Sequence, residues 1–488
     1  MKTAAVIGAG IAGIAASIRL ANRGFEVHVF EANSYPGGKL SSFEKNGYRF
    51  DAGPSLFTMP YLVDDLFRLS DKNPQDYFDY IRLSETCRYF WDDGVHLTAH
   101  ANKEDFAKEI QHQLGEPAEN VLAHLRDSAV KYDVTEKLFL HRSLHKIDTY
   151  FNRDALKGYA NMHRLEAFTT MNRANERRFQ TPKVIQLFNR YATYNGSDPY
   201  QTPATMNIIP HLEYNMGAFF PKKGMVDITD SLVKLAKDIG VTFHFNTKVT
   251  RIDTEAKRAR SLSFETGKTQ DFDIIVSNMD VVNTFRNLLP AAKQPERILR
   301  QPKSSSALIF YWGVKKQFSA LGLHNIFFSN DYQAEFTHLF HHKTLYHDLT
   351  VYINITSKHK PDDAPEGGEN WFVMVNAPNN DGQDWDVLIA TTRRNILKKL
   401  TQNLGVEIAE LIECEELLDP RSIETKTSSS QGALYGNSSN NRFAAFLRHA
   451  NFSRQFDNLY FVGGSVHPGG GIPLAILSAK IATDLISD

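Results

Sequence analysis

The chain has 488 residues and only two cysteines, Cys87 and Cys414. Two thiols exclude a disulfide framework and a cysteine-rich metal site. A reducing cytoplasm is the simplest compartment for such a chain. Long hydrophobic runs are missing as well. No apolar stretch reaches the ~18 residues that would mark a membrane span. Charge of one sign is absent: the formal net charge is −1, which gives no general pull toward nucleic acid. There is no internal repeat and no low-complexity tract. The pair His341-His342 lacks carboxylates at ligand spacing, so no metal is expected.

What is present begins at the N-terminus. Thr3 to Ile7 is a short apolar run suited to a buried parallel strand, and it leads into Gly8-Ala9-Gly10-Ile11-Ala12-Gly13. A helical pattern follows to Leu20 and Ala21, and Arg23-Gly24 stops it. Glu26 to Phe30 reads as a second strand ending on Glu31, 18 residues beyond Gly13. This is the order of a dinucleotide site. Gly8 permits the tight turn, Gly10 lets backbone approach a pyrophosphate, and Gly13 lets helix and sheet pack closely. The first N–H groups of the helix favour phosphate charge, and Glu31 can accept bonds from ribose hydroxyls. A secretory leader is the competing reading of this end. Three spaced glycines and no leucine before Leu20 make a poor leader core, and the strand that follows completes a β-α-β unit.

A second glycine pair follows in Tyr35-Pro36-Gly37-Gly38-Lys39, then Asp51-Ala52-Gly53-Pro54-Ser55. A nicotinamide site does not need them. An extended FAD does, because the chain crosses back over its pyrophosphate; Lys39 offers a point cation there. The C-terminus supplies a matching half. Leu459 to Val462 reads as a strand, followed by Gly463-Gly464-Ser465, His467-Pro468-Gly469-Gly470-Gly471-Ile472-Pro473 and an apolar helix to Ile486. A helix opening at Ile472 to Leu474 presents free N–H groups and a positive dipole end, which suits the anionic edge of a reduced flavin.

The chain resembles the carotenoid desaturase family, the phytoene desaturase group of the FAD-dependent, amine oxidase-like proteins. The residues that carry the resemblance are the N-terminal fingerprint, Gly37-Gly38-Lys39, Phe50 to Ser55, Phe220-Pro221-Lys222-Lys223-Gly224-Met225, Val276-Ser277-Asn278-Met279-Asp280, His324 to Phe328, Asn458 to Gly464 and His467 to Pro473. The closing motif looks closest to the branch that desaturates the 3,4 bond of hydroxylated or monocyclic carotenoids. Lys223 stands where many relatives carry glycine. The resemblance implies an α/β fold: a Rossmann-like FAD-binding domain, a mixed β-sheet substrate domain and a helical, membrane-facing subdomain. The FAD-binding domain is expected from 1–83, 224–295 and 425–488. The substrate domain is expected from 84–102, 205–223 and 296–424, and the helical subdomain from 103–204. Implied cofactor contacts are Gly38, Lys39, Ser55, Leu56, Val249, Asn278, Gly463, Gly464, Gly471 and Ile472, beside Gly8, Gly10, Gly13 and Glu31.

The implied chemistry is desaturation: a hydride leaves to the flavin and a proton to a base or solvent, with oxygen or a quinone as final electron acceptor. The cofactor carries the hard step, which explains why no triad or metal cluster is visible. Phe139-Leu140-His141-Arg142-Ser143 resembles a family segment near the substrate, which makes Arg142 the first catalytic candidate; His141, His145 and His467 are alternatives. Other readings are a phytoene or multi-step desaturase, a flavin-dependent isomerase or oxygenase, and a carotenoid carrier. A lipophilic substrate implies contact with a membrane, at its inner face. The segment from Arg153 to Arg190 holds eight Lys or Arg (Arg153, Lys157, Arg164, Arg173, Arg177, Arg178, Lys183, Arg190) against three acids, with Phe168, Met171, Phe179 and Leu187 interspersed. Such a segment is either a lipid-docking patch or an ordinary solvated face.

Overall fold

The computed structural model describes residues 1–136, 140–151, 161–441 and 443–487. Phe139, Arg153 and Lys157 of the sequence reading lie outside these residues.

The opening apolar run forms strand β1 (Thr3–Ile7), followed by helix α1 (Ile11–Ala21) and strand β2 (Glu26–Phe30). β1 is the middle of a five-stranded parallel sheet. β2 and Thr242–His244 lie on one side of it, Ile274–Ser277 and Leu459–Phe461 on the other. The chain thus leaves this sheet twice for long excursions and twice returns. Parallel strands are buried on both faces, which is why AAVI carries no alternation. α1 packs with the C-terminal helix Ile472–Asp484 in one apolar core, through Ile14, Ile18, Ile476 and Ala479. The Arg23 guanidinium, just past α1, donates to the Thr483 carbonyl and, at 2.8 Å, to that of Ile486. A cation there also offsets the negative end of the last helix.

After Gly224 a helix runs from Asp227 to Asp238. Gly224 has φ +90°, and the Asp51 carboxylate accepts the N–H groups of Met225, at 2.9 Å, and Val226, at 3.1 Å. Asp51 therefore fixes how this helix starts. Lys223 is exposed, 3.9 Å from Asp227, and does not line the cavity described below.

A second sheet has seven strands, in the order Ile412–Leu418, Ser306–Val314, Glu369–Ala377, Val351–Ile355, His324–Phe327, Glu85–Phe90, His96–His100. It is antiparallel except for one parallel pair, His324–Phe327 with Glu85–Phe90. Ser306–Val314 is buried along its whole length, so its sequence hides its two faces. Register reveals them, because successive side chains point to opposite sides. Leu308, Phe310 and Trp312 pack with Trp385, Ile396 and Leu400 of the helix Trp385–Leu404. Ile309 and Tyr311 face the other way, opposite Met374 and Phe372, and these four line a cavity shared with the first sheet.

The basic segment is not one patch. Arg178 is paired with Asp127 and Glu166, Lys183 with Asp93, and Arg190 is buried against Glu213. Met171, Phe179 and Leu187 are core residues, because their helices, Met171–Arg178 and Pro182–Asn189, turn these apolar positions inward. Of the segment, Arg164, Phe168, Arg173 and Arg177 remain exposed. Ile147, Phe151 and Phe168 are 78, 81 and 88 % exposed, beside the cationic Arg164 and Lys146. Among the described residues no helix is long and apolar enough to cross a membrane.

Candidate active site: a glycine cradle opening into an apolar cavity

The turn after β1 is built from backbone. Gly8 has φ +93°, and its N–H donates to the Phe30 carbonyl at 2.8 Å. A Cβ at Gly13 would stand 2.1 Å from the Gly8 oxygen, and one at Gly10 2.8 Å from Asn278 Nδ2. Only hydrogen fits at Gly13, where the obstacle is backbone; at Gly10 the Asn278 amide would have to move aside. α1 opens on Gly10 with no side-chain cap, so its first N–H groups are free for a ligand. The second glycine pair docks on this turn. The Gly37 N–H donates to the Ala9 carbonyl at 2.7 Å, and a Cβ at Gly38 would lie 3.6 Å from the Gly10 Cα.

Glu31 is buried at the end of β2. Its Oε1 accepts the Asn33 N–H and side-chain amide, each at 2.9 Å, and its Oε2 accepts the Ala9 N–H at 2.8 Å. A carboxylate oxygen accepts two bonds, so Oε2 retains a place for a ribose hydroxyl. The Lys39 ammonium donates to the carbonyls of Leu434, at 3.1 Å, and Ala433, at 3.3 Å. Burial holds its pKa down to about 8 against the opposing charge of Asp280.

The two ends of the chain meet at Asn278. Its Nδ2 donates to the Gly8 carbonyl at 3.3 Å, and a Cβ at Gly463 would stand 2.8 Å from its Oδ1. The Gly463 N–H donates to Ser478 Oγ at 2.7 Å. Gly471, with φ +102°, starts the C-terminal helix without a side-chain cap, and Ile472 to Ala475 border the cavity. Arg448 is a residue that sequence reasoning missed. It is buried beside Gly464, and among the described residues its guanidinium donates to carbonyls alone: Tyr435 at 3.0 Å, Gly464 at 3.1 Å and Asn437 at 3.0 Å. Burial lowers its pKa to about 10. A buried cation without a carboxylate suits an anionic group in the cavity.

These groups border one cavity of about 1650 Å3. Drug-sized ligands fill pockets of roughly 300–1,000 Å3, so the space exceeds what one such ligand needs. Gly8, Gly10, Glu31, Gly38, Lys39, Ser55, Leu56, Val249, Asn278, Gly463, Gly464, Gly471 and Ile472 all line it. Gly13 lies behind the turn as a packing residue. Away from the cradle the wall is apolar, with Leu140, Leu144, Leu165, Ile208, Ile209 and Leu212. Several polar groups interrupt it, and some are bonded to one another. The Tyr352 hydroxyl lies 2.7 Å from both Ser55 Oγ and His324 Nδ1, and burial drives His324 down to about 3, leaving it neutral. The Tyr311 hydroxyl donates to the Ala52 carbonyl at 2.6 Å.

Arg142 does not fit its expected role. Its side chain is exposed and does not line the cavity; it contributes its carbonyl, which accepts a bond from His467 Nε2 at 2.9 Å. That bond has a consequence for His467. A carbonyl only accepts, so Nε2 carries the proton and Nδ1 is a bare lone pair. His467 is buried, lines the cavity and has no partner at Nδ1. Burial lowers its pKa to about 4. His145 is a ring neighbour at 6.1 Å, and His141 lies 3.6 Å from Glu136. Among the described residues no group of His, Cys, Asp or Glu is arranged to hold a metal, the His341-His342 pair included.

Fold and cradle together define a dinucleotide-binding oxidoreductase with a second ligand space against its cofactor site. A family model described as flavin containing amine oxidoreductase matches residues 11–487, and the chain belongs to that family. Its cofactor is FAD, and the close contacts at Gly10 and Gly13 fit such a group. The chain is 51 % identical to a 1-hydroxycarotenoid 3,4-desaturase of Flavobacterium sp. (strain P99-3), over 100 % of this chain and 99 % of that one. It is 31 % identical to a 4,4'-diaponeurosporene oxygenase of Staphylococcus haemolyticus (strain JCSC1435), over 100 % and 97 %. Among solved structures, a putrescine oxidase triple mutant matches with TM-score 0.64 at 13 % identity, covering 99 % of this chain and 98 % of that one. An oxidoreductase from Methanosarcina mazei matches with TM-score 0.60 at 15 % identity, covering 98 % of each. Both structures share the fold.

Proposed function

We propose that this protein is an FAD-dependent carotenoid desaturase that introduces a C-3,4 double bond into a hydroxylated carotenoid. The observation that carries this is the full-length relative at 51 % identity, whose name states that reaction. An apolar cavity continuous with the dinucleotide cradle supports it. FAD, when bound, supplies the two-electron acceptor for loss of two hydrogens from adjacent carbons. The chain supplies position and dryness. The Leu140, Leu144 and Leu165 wall holds the polyene, and Ile309, Tyr311, Phe372 and Met374 border the cofactor side. Loss of hydride leaves a cation spread over the polyene. Such a cation is a strong acid, so even a weak base removes its proton. The bare Nδ1 of His467 is our candidate for that base.

The segments 1–83, 224–295 and 425–488 form the FAD-binding unit in this reading. The substrate unit is 84–102, 205–223 and 296–424, and 103–204 is the membrane-facing unit. Exposed Ile147, Phe151 and Phe168 support the last assignment, because Leu144 and Leu165, their neighbours in sequence, line the cavity. A carotenoid dissolved in a bilayer passes from lipid into the protein at that point. The docked membrane is the inner face of the cell membrane, and oxygen or a quinone takes the final electrons.

Mass spectrometry of defined carotenoids incubated with the FAD-loaded protein tests the function. Loss of two hydrogens is expected. Added oxygen would replace the assignment with an oxygenase, a reading that the 31 % relative's name keeps in view. Unchanged mass with a shifted spectrum would make it an isomerase. A flavin band that stays unbleached on anaerobic addition of substrate would make it a carrier.

A further inference from the structure

The cavity wall carries one charged cluster that neither the cradle nor the proton transfer uses. Arg190 and Glu213 are buried, 5 and 2 % exposed, and form an ion pair at 3.3 Å. Three tyrosines surround the guanidinium. Tyr89 takes its Nε–H at 2.9 Å, Tyr191 lies 3.2 Å from Nη2, and Tyr194 lies 3.2 Å from Nη1. The Tyr191 hydroxyl also donates to Glu213 Oε2 at 2.5 Å. Arg190, Tyr194 and Glu213 line the cavity, whereas Tyr89 and Tyr191 do not.

We propose that Arg190, Glu213 and Tyr194 form a subsite that binds the hydroxyl group of the substrate; this rests on the desaturase reading above. The bonding capacity left over is on the cavity side. Nη1 has a single partner, Tyr194, and so has Glu213 Oε1, whose contact with the same hydroxyl is 3.4 Å long. One donor and one acceptor are thus under-used, side by side. A hydroxyl both accepts and donates, so it satisfies the two together. A carboxylate would meet Glu213, and an ammonium would meet Arg190. The pair is neutral as a whole, which selects a neutral polar group from an otherwise apolar ligand.

The location agrees with the reaction. Tyr89, to which Arg190 donates, lies in register with Ile326, and Ile326 with Tyr352, whose hydroxyl is 2.7 Å from Ser55 Oγ. The subsite and the Ser55 contact are therefore joined through three adjacent strands of one sheet. In a 1-hydroxy carotenoid the hydroxyl-bearing carbon is two bonds from the 3,4 bond, so anchoring the hydroxyl there also registers the reacting carbons. An all-hydrocarbon polyene has no such anchor and slides.

The test compares a 1-hydroxycarotenoid with its non-hydroxylated counterpart in lipid vesicles, on the FAD-loaded full chain. Both kcat/KM and Kd, the latter from quenching of protein fluorescence, are measured for wild type, Tyr194→Phe and Glu213→Gln. Wild type is expected to prefer the hydroxylated compound about ten-fold in both quantities, the worth of one buried hydrogen bond. Glu213→Gln should bring that ratio close to one, whereas Tyr194→Phe, which leaves Nη1 and Oε1 to the substrate alone, should keep or raise it, with flavin content at the wild-type level in both. Equal affinity of wild type for the two compounds overturns the subsite, as does a preference lost in Tyr194→Phe. That variant keeps the ring volume and decides the matter even if Glu213→Gln does not fold. If neither compound is oxidised the desaturase reading fails, and the Kd ratio still judges the subsite by itself.

Discussion

The dinucleotide cradle and the cavity wall that faces it are built by opposite means. In the cradle the requirement falls on backbone: Gly10, Gly13, Gly37 and Gly463 are places where a Cβ would collide with the chain or with Asn278. On the wall it falls on side chains brought from far apart, such as Ser55 to Tyr352 and Arg190 to Glu213. A backbone requirement tolerates almost no substitution. A side-chain requirement is shared among partners and degrades by steps.

The sharpest way to break that contrast is Gly13→Ala. With the Gly8 oxygen 2.1 Å from the new Cβ, the turn must open. The expected loss is about 3 kcal/mol or more of stability, with FAD lost as well. Denaturant unfolding and visible flavin absorbance measure both; a yellow, equally stable variant would show that the turn yields more easily than packing implies. Next in size is Ile147→Ser combined with Phe151→Ser and Phe168→Ser. Removing three exposed apolar side chains should weaken binding to vesicles by about 3 kcal/mol, or some hundred-fold. Reversing charge at the exposed Arg173 and Arg177 should weaken it by only about 1 kcal/mol per charge, and only on anionic lipid. Co-sedimentation with vesicles of both kinds separates the two effects, and an unchanged triple variant would refute docking through this face.

Glu31→Ala probes a side chain inside the backbone-built half. It removes the acceptor of the Ala9 and Asn33 N–H groups together with that for ribose. FAD retention should fall by about 2 kcal/mol, close to thirty-fold, on titration of the apoprotein. A further test concerns pH. Burial lowers His467 and His449 to about 4 and His324 to about 3. The unfolded chain takes up these protons near the ordinary histidine value of ~6.5, so between there and the lowered values it binds more protons than the fold does. Their contribution is complete above that ordinary value and is lost as pH falls toward 4. Each histidine costs up to about 1.4 kcal/mol per pH unit in that window. Urea midpoints measured across the window test this, and His467→Gln should flatten the slope by one proton.

Much of the cradle was legible because its determinants are contiguous. Gly8 to Gly13, Gly37-Gly38 and Gly463 to Gly471 are gaps in side-chain occupancy, and such gaps are visible in a string of letters. Arg142 was misread for the complementary reason. Its segment does reach the cofactor-side loop, but through a carbonyl, and no residue type announces what its carbonyl will do. The basic run from Arg153 to Arg190 stayed between two readings because charge in sequence does not say which cations meet acids: Arg178 meets Asp127 and Glu166, and Arg190 meets Glu213. The two faces of the buried strand Ser306–Val314 were not separable until register set Tyr311 against Phe372.

By itself, then, the sequence determined the β-α-β opening, the glycine turn, the acid at the strand tip and the uncapped C-terminal helix. Each depends on neighbours a few residues away, and local steric rules act at that range. Tertiary structure alone decided that Asn278 joins the two chain ends, that Arg448 is a buried cation without a carboxylate, and that Arg190 and Glu213 share the cavity wall with Tyr194. Those outcomes depend on which strands pair and in what register. Pairing energy comes from surfaces far apart along the chain, so no stretch of sequence read alone contains it.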